Sequence, residues 1–290
     1  MAHLLRTLTL ASAMAVAAAD AAQPVSILAA ENFYGEAAAA IGGDRVAVES
    51  VIVAPGTDPH DFDPPPSVAA AVADANLVIM NGAGYDQWME RLLQADEAPS
   101  RVVIDVAALL GVAAGDNPHV WYHPDAMPAM AAALTETLVT LDPDGRATFE
   151  ANRDAFLATL APVGAMVADL RRRFAGTPAV ATEPVFGYMA EALGLEMQNE
   201  AFQTAIMNET EPPASAIAAT EDAIRSGGAK ILFYNSQVAD AFTRNFAELA
   251  NAAGVPIVDV TETQPAGMTY AEWMLETVGA TARALGKPST

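Results

Sequence analysis

The sequence predicts an α/β protein of two lobes, each a mostly parallel sheet flanked by helices, joined by one long rigid helix. Short apolar runs alternate with longer runs of helical spacing, the order of strands and crossover helices in a parallel sheet. The alternation occurs twice, over residues 25–105 and again over 178–285. Between the two, residues 144–174 place Phe149, Phe156, Leu160, Val163, Val167 and Leu170 close to helical spacing. A helix of that length exceeds what a packed domain usually holds, so it reads as a stiff connector. The alternative is two helices broken near Pro162. The expected divisions are 1–22 for a signal peptide, 23–143 for the first lobe, 144–174 for the connector and 175–290 for the second lobe.

In the first lobe, residues 25–29 form a strand, and Glu31 and Asn32 open a helix closed by Gly42 and Gly43. An apolar alternating run at 46–53 is the next strand, and 67–74 a helix capped by Ser67. Residues 76–81 (N-L-V-I-M-N) are a continuous apolar run, as in a strand buried on both faces. A helix at 85–94 and a strand at 102–105 follow. Pro124 suits the first position of a helix over 125–141, which makes His123 its cap. The second lobe has strands at 178–181, 230–234 and 256–260, and helices at 185–193, 215–226, 240–253 and 270–285. Gly194, Gly227 and Gly254 close three of those helices.

Composition narrows the function. The 290 residues are 52% hydrophobic, with a formal charge of −22 and no cysteine. The charge argues against nucleic-acid binding, because no basic stripe is present to neutralise phosphates. An acidic surface attracts cations instead. Without cysteine there is neither a disulfide nor a thiolate metal site. Arg6, the apolar run 8–19 and the Ala19-Asp20-Ala21 step read as an export signal too short to span a bilayer. The expectation is a soluble protein of the bacterial periplasm, with no acyl anchor because no cysteine is available to carry one.

Three histidines follow that segment, His60, His119 and His123, all in proline-punctuated loops of the first lobe. His60 lies in A-P-G-T-D-P-H-D-F-D-P-P-P at 54–66, directly after a strand. Prolines fix their own φ and restrict the preceding residue, so this loop is stiff enough to present a ligand. In the second lobe Glu183 and Glu262 each follow a strand end, where open α/β sheets face their ligand crevice. Two nitrogen and two carboxylate ligands suit a divalent first-row metal. Plainer roles stand beside these: a loop histidine at 60, a histidine packed on Trp121 at 119, a helix cap at Glu183 and a solvated charge at Glu262. Asp259 competes with Glu262 for the fourth position, although strand alternation turns the two to opposite faces. An exported metallohydrolase is the competing function, but the chain has neither H-E-x-x-H nor G-x-S-x-G.

The stretches 32–43 (N-F-Y-G-E-A-A-A-A-I-G-G), 56–62 (G-T-D-P-H-D-F), 81–84 with Trp88, 117–124 (N-P-H-V-W-Y-H-P), 183–195 (E-P-V-F-G-Y-M-A-E-A-L-G-L) and 260–274 occur in one order along nearly the whole chain. In this the sequence resembles the zinc- and manganese-binding receptors of bacterial ABC importers. The resemblance implies two α/β lobes with metal between them, no enzymatic activity, and delivery to a membrane permease by a monomeric receptor. It implies His60, His119, Glu183 and Glu262 as metal ligands. His123, where the family often has aspartate, is implied as a supporting residue or an extra ligand, as is Asp259. Zinc is the expected ion, with manganese or iron(II) as alternatives. A histidine-rich acidic loop common in zinc receptors is absent from this sequence.

Overall fold

A computed structural model describes residues 23–54, 57, 62–96, 98–238 and 241–286. The expected signal segment and His60 lie outside the described residues. The first lobe runs β1 (Val25–Glu31), α1 (Asn32–Gly42), β2 (Val46–Ile52), α2 (Pro66–Asp74), β3 (Leu77–Met80), α3 (Gln87–Ala95), β4 (Val102–Asp105), α4 (Val106–Leu109) and α5 (Ala126–Leu141). Then comes α6 (Arg146–Phe174), the long helix between the lobes. The second lobe runs β5 (Pro178–Ala181), α7 (Gly187–Ala192), β6 (Glu196–Met197), α8 (Glu200–Met207), α9 (Ala214–Arg225), β7 (Leu232–Asn235), α10 (Ala241–Ala253), β8 (Ile257–Val260) and α11 (Tyr270–Leu285).

Each lobe is a four-stranded parallel sheet, in the order β2-β1-β3-β4 and β6-β5-β7-β8. In both sheets the chain reverses its direction of travel between the two central strands. That reversal opens a crevice at their carboxyl ends. The crevice of the first lobe lies beyond β1, which ends at Glu31, and β3, which leads to Asn81. That of the second lies beyond β5 and β7, which lead to Glu183 and Asn235.

The α6 helix is continuous through Pro162. Its 29 residues span about 44 Å at 1.5 Å per residue. Phe149, Phe156, Val163 and Leu170 recur every seventh position and are its buried side chains. One seam therefore packs against α1 and α5 of the first lobe and α11 of the second. The core that this seam joins is continuous across the lobes. Aromatic rings form the bridge: Phe33 lies 5.8 Å from Trp273, and Tyr122 lies 5.2 Å from Phe186 and 5.4 Å from Trp273, centroid to centroid. Polar bonds reinforce it. The Tyr270 hydroxyl donates to the Trp121 carbonyl at 2.6 Å and the Tyr122 hydroxyl to the Thr261 carbonyl at 3.1 Å. The Glu36 carboxylate accepts the first backbone N–H of α11, from Tyr270, at 2.8 Å, where the helix dipole favours negative charge.

Local differences from the sequence expectation concern helix starts. Pro65, not Ser67, caps α2. The helix after Pro124 begins only at Ala126, so His123 is not its cap residue. The short helix α8 and strand β6, absent from the sequence reading, fill the segment between α7 and α9. Both are too short for periodicity to reveal.

Candidate metal site

The site is built where the two crevices face each other. His119 follows Pro118 in a loop that ends in a 3-10 turn, Val120–Tyr122. The ring is 1% exposed, between Tyr85 and Trp121. Its orientation follows from Asn117. The Asn117 amide donates from Nδ2 to the Pro184 carbonyl at 2.8 Å, which turns Oδ1 toward His119. That oxygen accepts the His119 backbone N–H at 3.1 Å and lies 2.6 Å from Nδ1 of the ring. A carbonyl oxygen only accepts, so neutral His119 carries its proton on Nδ1 and directs the Nε2 lone pair outward. Nε2 lies 3.7 Å from Oε2 of Glu262, contributed by the opposite lobe. Gly187 makes this possible: a Cβ there would meet Asn117 Nδ2 at 2.8 Å.

Glu262 is 3% exposed and held at three points. The Tyr85 hydroxyl donates to Oε2 at 3.2 Å, Asn235 Nδ2 donates to Oε1 at 2.7 Å, and the Glu262 backbone N–H donates to Oε1 of Gln237. Gln237 also donates from Nε2 to the Thr263 hydroxyl at 2.9 Å, which pins the turn after β8. Glu183 is 6% exposed and follows β5. It stands before the 3-10 turn Pro184–Phe186 without a side-chain capping bond, so the helix-cap role does not apply. Its Oε2 accepts from the same Asn235 amide.

The structure thus brings His119 and Glu262 into direct contact and joins Glu183 to them through Asn235. No group of three metal-binding side chains closes a site among the described residues, and His60 lies outside them. Asp259 is exposed on β8, between buried Val258 and Val260, and does not reach the cluster. Alternation along the strand turns it away from the buried face that Val258 and Val260 occupy. The Nδ1 atom of His123 accepts the Asp125 backbone N–H at 3.1 Å, and its ring lies against Tyr188 of the second lobe. It holds the entry to α5.

Four residues of this site were not found from the sequence: Tyr85, Asn117, Asn235 and Gln237. Only Asn235 leaves a legible trace, since K-I-L-F-Y-N and N-L-V-I-M-N are both apolar strands ended by asparagine. Asn81, the counterpart, supports the site from behind. It accepts from the Tyr34 hydroxyl at 2.8 Å and donates to the Pro118 carbonyl at 2.8 Å, immediately before His119.

Behind Asn81 lies a second buried carboxylate pair. Asp86 accepts the backbone N–H groups of Asn81 at 2.7 Å and Gly82 at 2.9 Å. Gly82 has φ +79°, and a Cβ there would fall 2.0 Å from Asp105 Oδ1, so only glycine fits. Burial raises the Asp86 carboxyl to about 7 against the pull of those amides. Glu31 is fully buried, and among the described residues neither carboxylate oxygen has a hydrogen-bond partner. Burial, then the charge of Asp86, pushes its pKa well above the usual carboxylate range. Folding therefore takes up protons here, and this contribution to stability is lost as pH rises above the unfolded value of about 4.3. Glu31→Gln keeps the volume without the charge. Its melting temperature should exceed that of the parent at pH 8 and converge on it near pH 4. Thermal melts at both pH values test this, and an equal difference at both would refute it.

The chemistry of the donors matches a divalent cation. Two buried carboxylates share one amide, with an imidazole nitrogen lone pair from the facing lobe alongside. That nitrogen–oxygen set suits zinc, manganese or iron(II). Comparison with known proteins agrees. The profile of the family described as zinc-uptake complex component A, periplasmic (ZnuA) matches residues 27–284. The chain belongs to that family.

Among its ZnuA-type relatives, the iron-binding protein YfeA of Yersinia pestis is 26% identical over 253 residues, covering 83% of this chain and 79% of that protein. The manganese-binding lipoprotein MntA of Halalkalibacterium halodurans is 29% identical over 177 residues, 59% of each chain. The fold matches the periplasmic zinc-binding protein TroA of Treponema pallidum with a TM-score of 0.75 at 20% identity, covering 91% of this chain and 99% of that one. These are metal-binding receptor proteins, not enzymes, which sets aside the metallohydrolase alternative. Their names span three ions, so kinship supports a divalent metal without choosing one. No helix among the described residues is long and apolar enough to cross a membrane.

Proposed function

We propose that the chain is the extracytoplasmic receptor of an ABC importer, a monomer that captures one divalent transition-metal ion and hands it to the membrane permease. The ion is bound between the lobes by His60, His119, Glu183 and Glu262. Zinc is the first choice, with manganese and then iron(II) behind it, because zinc binds a given nitrogen–oxygen site more tightly than either. The observation that carries this reading is the contact of His119 Nε2 with Glu262 Oε2 at 3.7 Å. The two side chains come from opposite lobes, are both buried, and have orientations fixed by independent hydrogen bonds. The aromatic bridge between the lobes favours capture with small lobe movement rather than a wide hinge.

Metal analysis of the purified protein tests the proposal, followed by zinc and manganese titration of the stripped form, of His60→Ala and of Glu183→Ala. One tightly bound equivalent, weakened in both variants, is the expected result. No stoichiometric metal, or binding unchanged in both variants, would sink it. Protons compete with metal for imidazole nitrogen, so affinity should fall on acidification, and a flat profile from about pH 7.5 to pH 5 would rule out histidine ligation.

A further inference from the structure

Asn235 occupies an unusual position for an amide. It is 1% exposed at the carboxyl end of β7, and its orientation leaves no freedom. Its Oδ1 accepts the Gln237 backbone N–H at 3.1 Å, and its own backbone N–H donates to the Thr182 hydroxyl at 2.9 Å. Nδ2 must therefore face the cleft, where it donates to Oε2 of Glu183 and to Oε1 of Glu262. One amide group thus serves two carboxylates of the same cluster.

The consequence concerns coordination number. A carboxylate that chelates an ion turns both oxygens toward it. An amide hydrogen held on one oxygen competes for that geometry. For Glu262 the division is visible: Oε1 faces Asn235, while Oε2 faces His119 Nε2 and the Tyr85 hydroxyl. Zinc is satisfied by four ligands in a tetrahedron. Manganese and iron(II) seek more oxygen atoms, and chelating carboxylates are how a protein supplies them.

Building on the receptor function above, we propose that Asn235 is a specificity-determining positioning residue. By holding one oxygen of both Glu183 and Glu262, it restricts each carboxylate to single-oxygen contact with the ion and so favours zinc over manganese and iron(II). Asn235 acts through the glutamates and not as a ligand itself, because its nitrogen is a donor and its oxygen faces Gln237.

The test uses the full chain stripped of metal, titrated by competition with zinc and separately with manganese, for the parent, Asn235→Ala and Asn235→Ser. Circular dichroism establishes that each variant is folded, and two variants guard against loss of either one. Hydrogen bonds to a charged acceptor are strong enough that the zinc-over-manganese affinity ratio should fall by about tenfold or more. Cobalt(II) loading gives a second readout: the intense visible bands of a four-coordinate ion should weaken toward those of a higher-coordinate one. Equal weakening for both ions, with the cobalt spectrum unchanged, would leave Asn235 a plain structural support and overturn the inference alone. A parent protein that takes up no ion would overturn the receptor reading as well, so the two failures are distinguishable.

Discussion

Glu262→Gln is expected to weaken zinc and manganese binding by at least about a hundredfold, since even residues that only orient a ligand cost ten- to a hundredfold when lost. Glutamine keeps the shape: its oxygen at the Oε1 position still accepts from Asn235, and its NH2 at the Oε2 position can donate to the Tyr85 hydroxyl oxygen, which accepts as well as donates. What it removes is the negative charge opposite His119 Nε2. The stripped variant should melt close to the parent or slightly above it, because two neighbouring buried carboxylates become one. The metal-induced rise in melting temperature should disappear. In the parent, ion at a hundred times its dissociation constant adds about 2.7 kcal/mol of stability. Titration calorimetry with melts in the presence and absence of zinc decides the matter. Parent-like affinity in Glu262→Gln would remove this residue from the site.

The second large effect concerns the frame. Trp121 is fully buried, and its ring stacks among Phe33, Tyr85 and His119 while its carbonyl accepts from Tyr270 of the second lobe. Trp121→Ala leaves a cavity at the junction of both lobes and should cost about 3–5 kcal/mol. For a chain of this size that corresponds to a fall in melting temperature of roughly 6–20 °C. Affinity should drop too, because His119 loses one wall of its slot. Trp121→Phe should recover much of both by refilling part of the volume. The two predictions separate by signature: Glu262→Gln loses metal without losing the fold, and Trp121→Ala loses stability first. A melting temperature unchanged in Trp121→Ala would mean that this ring does not support the frame around His119.

The sequence alone determined the alternation of strands and helices, because period and punctuation are local properties. The seven-residue seam of α6 was visible for the same reason, and its continuity prevailed over Pro162 because both lobes pack along it. His119, Glu183 and Glu262 were legible because each follows a recognisable strand or proline turn near a carboxyl end. Which side chains hold them was not. Tyr85 reaches Glu262 across 177 positions and Asn235 across 27, and no local pattern encodes such a bond. The exposure of Asp259 on β8 and the bond that His123 accepts from the start of α5 are visible only in the tertiary structure. Only the tertiary structure could place one buried amide against two carboxylates, since that arrangement exists only once β5, β7 and β8 lie side by side.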